Sequence, residues 1–217
     1  MLTLTRRVGE RIIIGTEIEI EVVKVAGGRV RLGIRAPRSL AVLRGELVDR
    51  IEADILRASQ ERSAVPHAQA SYDFDESMIL HFPEGLFGMR DQHRFVICEL
   101  ERQPDHAHFD TRLPPFRALV SADNPLIRLL VADAKEVMAD YPIQRAQVLA
   151  GLPEEVAVAV VVTVPADGST ITANLAAPVV IGLESRQGVQ VVLERQGLDI
   201  GCVLANPSVH GGDDGRP

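Results

Sequence analysis

The chain of 217 residues carries 30 acidic and 23 basic side chains, which gives a formal net charge of −7. No apolar run approaches the roughly 18 residues of a membrane-spanning helix, and the N-terminal residues lack the charged-then-apolar order of a signal peptide. Cys98 and Cys202 provide no disulfide framework, which suits a reducing compartment. These features argue against a helical membrane protein and predict a cytoplasmic one.

The charge is unevenly distributed along the chain. Residues 1–62 hold 12 Lys or Arg against 9 Asp or Glu, a balance of +3, whereas residues 63–217 hold 11 against 21, a balance of −10. Such asymmetry favours a basic part that meets a polyanion and an acidic part that attracts it. Solvated faces that differ by chance would give similar totals, since a surplus of three charges is small.

The N-terminal residues are predicted to form short strands. Residues 17–22 and 29–35 alternate apolar and polar side chains, which is the period of a half-buried strand. The glycines at 27–28 favour a hairpin turn between them, because glycine tolerates positive φ. Further short strands are expected at residues 4–7 and 40–44.

An amphipathic helix is predicted over residues 46–58. Leu47, Ile51 and Ile55 recur at intervals of four and would share one face. A module of about 60 residues buries only about 60% of its unfolded surface, so we expect five strands and one helix to dimerise through a strand edge. Residues 59–70 are polar and aperiodic and contain a proline, which predicts a linker.

The remainder of the chain is predicted to be rich in β-strands. Four β-branched runs bounded by Gly, Pro, Asp or Ser favour an antiparallel barrel or sandwich within residues 71–204. Residues 142–149 fit a strand or a helix equally well. The tail 205–217 is rich in Gly and Asp, and we expect it to be disordered. The four runs lie at residues 94–100, 156–164, 177–181 and 189–193.

The N-terminal strands carry side chains that suit single-stranded RNA. Arg6 and Arg7 offer fork-shaped donors to phosphates and base edges, and Leu4 offers an apolar surface to a base. Edge amides and carbonyls can hydrogen-bond an unpaired base. Val42 and Arg44 repeat this chemistry, so edges that meet across a dimer would form a composite site. On periodicity alone, a small solvated β-module explains the pattern equally well.

An ungapped pattern over about 58 residues includes Leu4-Thr5-Arg6-Arg7, Gly9-Glu10, Val30-Arg31-x-Gly33 and Ala36-Pro37. The pattern resembles the carbon storage regulator family, CsrA/RsmA. The resemblance implies a strand-swapped homodimer that binds GGA motifs in hairpin loops of mRNA 5′ leaders and usually represses translation. It makes Arg44 the critical RNA contact. The RNA-binding residues that it implies are Leu4, Arg6 and Arg7 on one wall and Ala36, Pro37, Val42 and Arg44 on the other.

The sequence departs from this family pattern beside the implied wall. Leu43 stands where the family often has His, Gly45 where a charged or polar residue is common, and Thr3 where an aliphatic residue is usual. These departures leave the arginines in place and predict a changed affinity or motif preference. Alternatively, Arg44 has only a structural role and pairs with Glu46.

The C-terminal part contains Phe-x-x-Gly-Leu-x-Gly at residues 82–88 and Thr-Ala-Asn-Leu-x-Ala-Pro at residues 172–178. These motifs resemble the flagellar assembly factor family FliW, with Phe87 where that family often has Pro. The resemblance implies a β-barrel-like adaptor that binds CsrA near its C-terminal helix and blocks RNA binding, while flagellin competes for the adaptor. The chain would then be a natural fusion of a translational regulator with its own antagonist.

The resulting prediction is a mainly β protein with four parts. A five-stranded, strand-swapped dimeric module with one C-terminal helix occupies residues 1–58, and a β-barrel-like antiparallel domain follows a linker. The residues leave simpler interpretations of the two motifs open. Thr172–Pro178 would be a turn that enters a buried strand, with Asn174 capping backbone groups, and residues 85–88 would be a structural turn. The predicted parts are residues 1–58, 59–70, 71–204 and 205–217.

No catalytic or metal site is expected. His106 and His108 lack further ligands at suitable spacing, and the carboxylates of Asp73, Asp75 and Glu76 lack the downstream pattern of a calcium loop. A thiol in an apolar strand, such as that of Cys98, is usually inert. We therefore predict a non-enzyme without a cofactor.

Two functions remain open at this level. In the first, an RNA-binding translational regulator is restrained by the domain fused to it, through a contact within one chain or between the two chains of the dimer. In the second, the chain is a protein-interaction adaptor for flagellin or another partner, and its N-terminal module mainly dimerises it. RNA binding that depends on Arg44 would distinguish the first function from the second.

Overall fold

The computed structural model describes residues 1–37, 40, 42–61, 75–100, 113–165, 169–194 and 197–205. The chain divides into two compact units, Met1–Val42 and Leu43–Pro217. The helix predicted near residue 46 therefore belongs to the second unit, together with the C-terminal strands. The boundaries of the four predicted parts stay predictions, since a compact unit and a sequence family need not coincide.

The first unit is a three-stranded antiparallel sheet of order β1-β2-β3. Gly27 and Gly28 connect the second and third strands with φ of 55° and 71°, the two positive angles of a tight hairpin turn. The predicted hairpin is therefore confirmed. The strands are β1 (Arg11–Ile14), β2 (Ile18–Ala26) and β3 (Arg29–Arg35).

The sheet of the first unit leaves most of its apolar side chains exposed. Val22 is buried, whereas Ile13, Val30 and other aliphatic side chains are about half exposed. Residues 1–10 and 42–44 form no strand within the chain. The five-stranded, strand-swapped module thus stays a prediction that concerns a dimer.

The second unit is an antiparallel sheet of eight strands with three α-helices and one short 3₁₀-helix (Glu76–Met78) among its described residues. An isolated bridge between His81 and Gln187 joins the two ends of the strand order, so the sheet is barrel-like. The mainly β prediction is confirmed. The elements are α1 (Gly45–Gln60), β4 (Leu80–His81), β5 (Arg94–Glu99), β6 (Phe116–Ser121), β7 (Arg128–Asp133), α2 (Ala134–Val137), α3 (Ile143–Ala150), β8 (Val156–Thr163), β9 (Ile171–Gly182), β10 (Gly188–Gln190) and β11 (Cys202–Ala205).

Both faces of this sheet are buried, which explains why its strands are continuous apolar runs rather than alternating ones. Val161 and its neighbours on one face pack in the cluster that contains Ile51 and Ile55 of α1. On the other face, Val160 packs in a cluster that contains Tyr141. Helix α1 is therefore part of the core of the second unit.

Two segments left open by the sequence are resolved in this unit. Residues 143–150 form a helix, α3, which ends at Gly151 in the left-handed conformation that glycine adopts without strain. Thr172–Pro178 is not a turn, and that interpretation was wrong, because the segment lies wholly within β9. Its register against β8 shifts between Ala159 and Val161, so β9 bulges where it contains Asn174.

Several predicted features lie outside the described residues. They include His106, His108, Asp73, most of the linker and the tail from residue 206 onward. Within the described residues, no helix is long and apolar enough to cross a membrane.

Candidate functional site

The implied RNA-binding residues are divided between the two units. Six of them lie in the first unit, where Leu4 and Val42 are about half exposed and Arg6 and Arg7 are exposed. Among the described residues, neither arginine side chain of this pair has a carboxylate partner; the Arg6 guanidinium donates to the Thr5 carbonyl at 2.8 Å. Those in the first unit are Leu4, Arg6, Arg7, Ala36, Pro37 and Val42, and Arg44 lies in the second unit.

Arg44 is the N-cap of α1 and has an extended backbone with φ −78° and ψ 132°. Its backbone N–H donates to Oε1 of Glu194 at 3.2 Å, and its Nε lies 3.5 Å from the same oxygen. The predicted alternative partner, Glu46, makes no ion pair with Arg44 among the described residues. Because α1 has no side-chain cap of its own, Glu194 places a negative charge beside its N-terminus, where the helix dipole favours one.

Helix α1 docks on the barrel through an apolar stripe. Ile51 and Ile55 are fully buried, and Leu47 packs partly buried against the same cluster. Leu43, one of the departures from the family pattern, also packs against this cluster, whereas a Cβ added at Gly45 would meet nothing within 4 Å. Burial of an isoleucine contributes about 1.5–3 kcal/mol, so this stripe dominates the docking.

The Gly85–Gly88 segment touches the same helix. The predicted turn is confirmed, with φ of 63° at Gly85 and 75° at Gly88. A Cβ added at Gly88 would lie 2.9 Å from Cγ of Leu56 and 3.1 Å from the carbonyl oxygen of Glu52. Glycine at this position therefore lets α1 approach the turn closely.

One partly buried polar pair also links α1 to β9. Nδ2 of Asn174 donates to Oδ2 of Asp54 at 2.9 Å, and Arg57 lies 3.4 Å from the other carboxylate oxygen. Burial raises the pKa of Asp54 above its ordinary value, although the hydrogen bond from Asn174 and the charge of Arg57 act in the opposite direction. Docking of α1 therefore keeps the Asp54 carboxylate in an environment where its charged form is less stable than in water.

A cavity of ≈ 330 Å³ lies between the first turns of α1 and the barrel. Arg44 and Arg50 line one side of it, and Glu194 and Asp199 line the other. Opposite charges therefore face each other across the start of the helix, at the position of the implied critical RNA contact.

No group of three or more potential metal ligands occurs among the described residues. Burial raises the pKa of both the Cys98 and the Cys202 thiols, which disfavours a reactive thiolate at neutral pH.

Sequence reasoning missed the partners of α1 on the barrel. Glu194 follows a β-branched run that was recognised only as a strand, and Gly88 was assigned only to a turn. Asn174 was expected to cap backbone groups, and its Oδ1 does accept from the N–H of Ala177 at 3.1 Å, but its contact with Asp54 was not foreseen. The Thr-Ala-Asn-Leu-x-Ala-Pro motif drew attention to Asn174, but it did not indicate that Asn174 contacts Asp54.

Comparison with known families assigns both parts of the chain. The model of the CsrA global regulator protein family matches residues 1–53, and that of the FliW protein family matches residues 66–202. The chain is a fusion of a CsrA domain and a FliW domain. Helix α1 begins inside the CsrA match, yet it packs in the core of the unit that contains the FliW match.

Individual relatives are similar to each of the two parts. The translational regulator CsrA of Thermotoga petrophila is 48% identical over 60 residues, which cover 28% of this chain and 72% of the relative. The flagellar assembly factor FliW of Caldanaerobacter subterraneus is 29% identical over 126 residues, 56% of this chain and 78% of the relative. A crystal structure of the flagellar assembly factor FliW aligns with a TM-score of 0.49 and 26% identity, over 60% of this chain and 88% of that one.

Proposed function

We propose that this protein is a cytoplasmic translational regulator whose CsrA domain binds GGA-containing hairpins in mRNA and whose FliW domain restrains that binding. The observation that carries the proposal is the docking of α1, in which Ile51 and Ile55 of the helix are fully buried in the core of the second unit. Because α1 joins the two family segments, we expect its docking on the FliW domain to affect RNA binding by the CsrA domain. The protein has no enzymatic role in this proposal.

The RNA contacts in this proposal come from the implied wall, with Arg44 as the main one. Arginine suits this role because its planar guanidinium donates to phosphates and base edges in fixed geometry. The FliW part carries most of the acidic surplus, which repels phosphates that approach α1. The proposed RNA-binding residues are Leu4, Arg6, Arg7, Ala36, Pro37, Val42 and Arg44.

A homodimer is also part of the proposal. The sheet of the first unit exposes aliphatic side chains such as Ile13, Val25 and Val30, and such a concentration in a small sheet favours association. Strand exchange between two copies would add the two missing strands of the five-stranded module. Sedimentation of the intact protein tests this point, and a monomer at micromolar concentration would contradict it.

The test of RNA binding uses the whole chain, because a fragment that ends after α1 would expose Ile51 and Ile55. Binding of a GGA hairpin and of a loop variant that lacks GGA is compared at about 0.15 M salt, since phosphate contacts are salt-dependent. Arg44→Ala is expected to weaken GGA binding by roughly 1–3 kcal/mol. Equal binding of the two hairpins would contradict the proposed specificity.

The test of restraint displaces α1 without removing any side chain of the implied RNA wall. In Gly88→Ala, the new methyl group meets Leu56, so α1 is pushed from the barrel and GGA binding is expected to tighten. Gly151→Ala is the matched control, because Gly151 also has positive φ but a Cβ there meets nothing within 4 Å. Unchanged RNA affinity in Gly88→Ala, with α1 displaced, would end the idea of restraint.

The alternative function is a protein-interaction adaptor for flagellin or another partner. Leu43 favours this alternative, because it lies beside the implied RNA wall in the sequence but packs against the barrel cluster. In this case the CsrA domain serves to dimerise the chain, and Arg44→Ala changes nothing. Specific GGA binding that is lost in Arg44→Ala would exclude this alternative.

A further inference from the structure

The contact between Glu194 and Arg44 assigns a specific role to one acidic side chain of the second unit. We infer that the Glu194 carboxylate competes directly with RNA for Arg44 and so restrains RNA binding in addition to the docking of α1. The inference rests on the proposed function, because it requires Arg44 to be an RNA contact. It deepens that function by naming the residue that occupies the contact.

The geometry of the contact resembles what a nucleic acid would offer. A single oxygen, Oε1 of Glu194, lies 3.2 Å from the backbone nitrogen of Arg44 and 3.5 Å from its Nε. A guanidinium group and an edge amide are the two kinds of donor that bind phosphates and unpaired bases. Because the backbone N–H and the guanidinium of Arg44 both face the Glu194 carboxylate, they have to leave this carboxylate before they bind RNA.

The backbone that carries Glu194 is held in place before the contact forms. The N–H of Leu193 donates to the carbonyl of Ala176 at 2.7 Å, and the N–H of Val191 donates to that of Pro178 at 3.1 Å. Both aliphatic side chains are buried. The carboxylate thus follows a segment that backbone hydrogen bonds hold in place, and little backbone conformational entropy is lost when it meets Arg44.

The contact is separable from the docking of α1. The Arg44 side chain is 74% exposed and that of Glu194 is 31% exposed, whereas Ile51 and Ile55 are fully buried. An exposed ion pair contributes little to stability. Glu194 can therefore be altered without displacing the helix, and the alteration acts on the availability of Arg44.

The experiment measures GGA-hairpin affinity of the full chain with Glu194→Gln at about 0.15 M salt. Glutamine keeps an oxygen for the Arg44 N–H but removes the charge, and a roughly two- to fivefold tighter binding is expected. Glu184→Gln is the matched control: it removes the same charge from an exposed turn of the same unit. The melting temperature of Glu194→Gln should stay within about 3 °C of the parent chain.

A double-mutant cycle with Arg44→Ala separates competition from general repulsion. If Glu194 acts through Arg44, Glu194→Gln tightens binding in the parent chain and has no effect in Arg44→Ala. A gain that persists in Arg44→Ala, or an equal gain in Glu184→Gln, would overturn the inference in favour of long-range repulsion.

The outcomes also separate this inference from the proposed function. If Gly88→Ala tightens GGA binding and Glu194→Gln does not, the restraint stands and the role of Glu194 is wrong. If the parent chain, Gly88→Ala and Glu194→Gln all fail to discriminate the GGA hairpin from its control, the proposed function falls and the inference falls with it.

Discussion

Asn174 of β9 donates from Nδ2 to Oδ2 of Asp54 on α1 at 2.9 Å, although the two residues lie 120 positions apart. The other amide atom, Oδ1, accepts from the N–H of Ala177 at 3.1 Å inside the bulge of β9. A single side chain therefore completes the hydrogen bonds of the bulge and presents a donor to the helix. The shape of the barrel at this point and the docking of α1 depend on the same residue.

Asn174→Ala is expected to destabilise the second unit. The substitution leaves the partly buried carboxylate of Asp54 without its donor from Asn174 and the buried Ala177 N–H without its acceptor, at a cost of about 1–3 kcal/mol. The measurement is the urea midpoint of the full chain. Asn124→Ala is the control, because its Oδ1 accepts from Leu126 in an exposed loop; an equal loss in both variants would contradict a special role for Asn174.

Asp54 makes the stability of the second unit depend on pH. Burial raises its pKa in the folded chain above the unfolded value, so between these two values the folded state binds more protons than the unfolded state. The contribution of Asp54 therefore favours folding at the acid end of this interval, decreases as pH rises through it, and stays lower at neutral pH. Asp54→Asn is expected to remove this contribution and to be at least as stable as the parent chain at neutral pH.

The measurement is the urea midpoint of both chains across the acidic range. The difference between Asp54→Asn and the parent should grow as pH rises through the interval and then level off. Asp49→Asn, which removes an exposed carboxylate from the same helix, controls for the loss of one charge. A difference that shrinks as pH rises would contradict the assigned direction.

Gly88→Ala is expected to loosen α1 from the barrel. The added methyl group would stand 2.9 Å from Leu56, and the positive φ at Gly88 adds backbone strain. Amide hydrogen exchange along α1 should become faster than in the parent chain. Gly151→Ala carries similar strain without the contact, so faster exchange of α1 in that variant as well would show that strain alone is responsible.

Ile55→Ala is expected to be strongly destabilising, because the side chain is fully buried in the cluster shared with the barrel. Truncation of such an isoleucine costs about 2–5 kcal/mol. Leu56→Ala, at the neighbouring and partly exposed position, should cost markedly less. Similar losses of unfolding free energy in the two variants would mean that α1 presents a different face to the barrel.

The local features of this fold follow from the sequence, and the long-range ones do not. The β2–β3 hairpin and the extent of α1 are set by side-chain period and by Gly27 and Gly28, which are properties of neighbouring residues. Apolar runs such as β8 indicated strands, but no local pattern specifies which element covers each face. The FliW resemblance implied binding near the C-terminal helix of the CsrA module, but the barrel residues that α1 contacts were not predicted.

In the candidate site, too, contacts between residues far apart in the sequence could not be predicted. The implied RNA wall was assigned by resemblance; five of its residues are exposed, and Ala36 and Pro37 are partly exposed. The partner of Arg44 was sought nearby, at Glu46, because sequence reasoning favours close neighbours; the partner in the structure is Glu194, 150 positions away. Thr172–Pro178 was interpreted as a turn that enters a buried strand, with Asn174 capping backbone groups, whereas the whole segment lies within β9.

Helix α1 also bears on the evolution of the gene. By sequence the helix begins in the CsrA match, and by packing it is a structural part of the FliW-containing unit. A recombination event on its C-terminal side would deprive the barrel of core residues and leave the N-terminal part with a helix that exposes Ile51 and Ile55. Separation of the two family segments after this helix is therefore expected to be costly, which favours their inheritance as one gene.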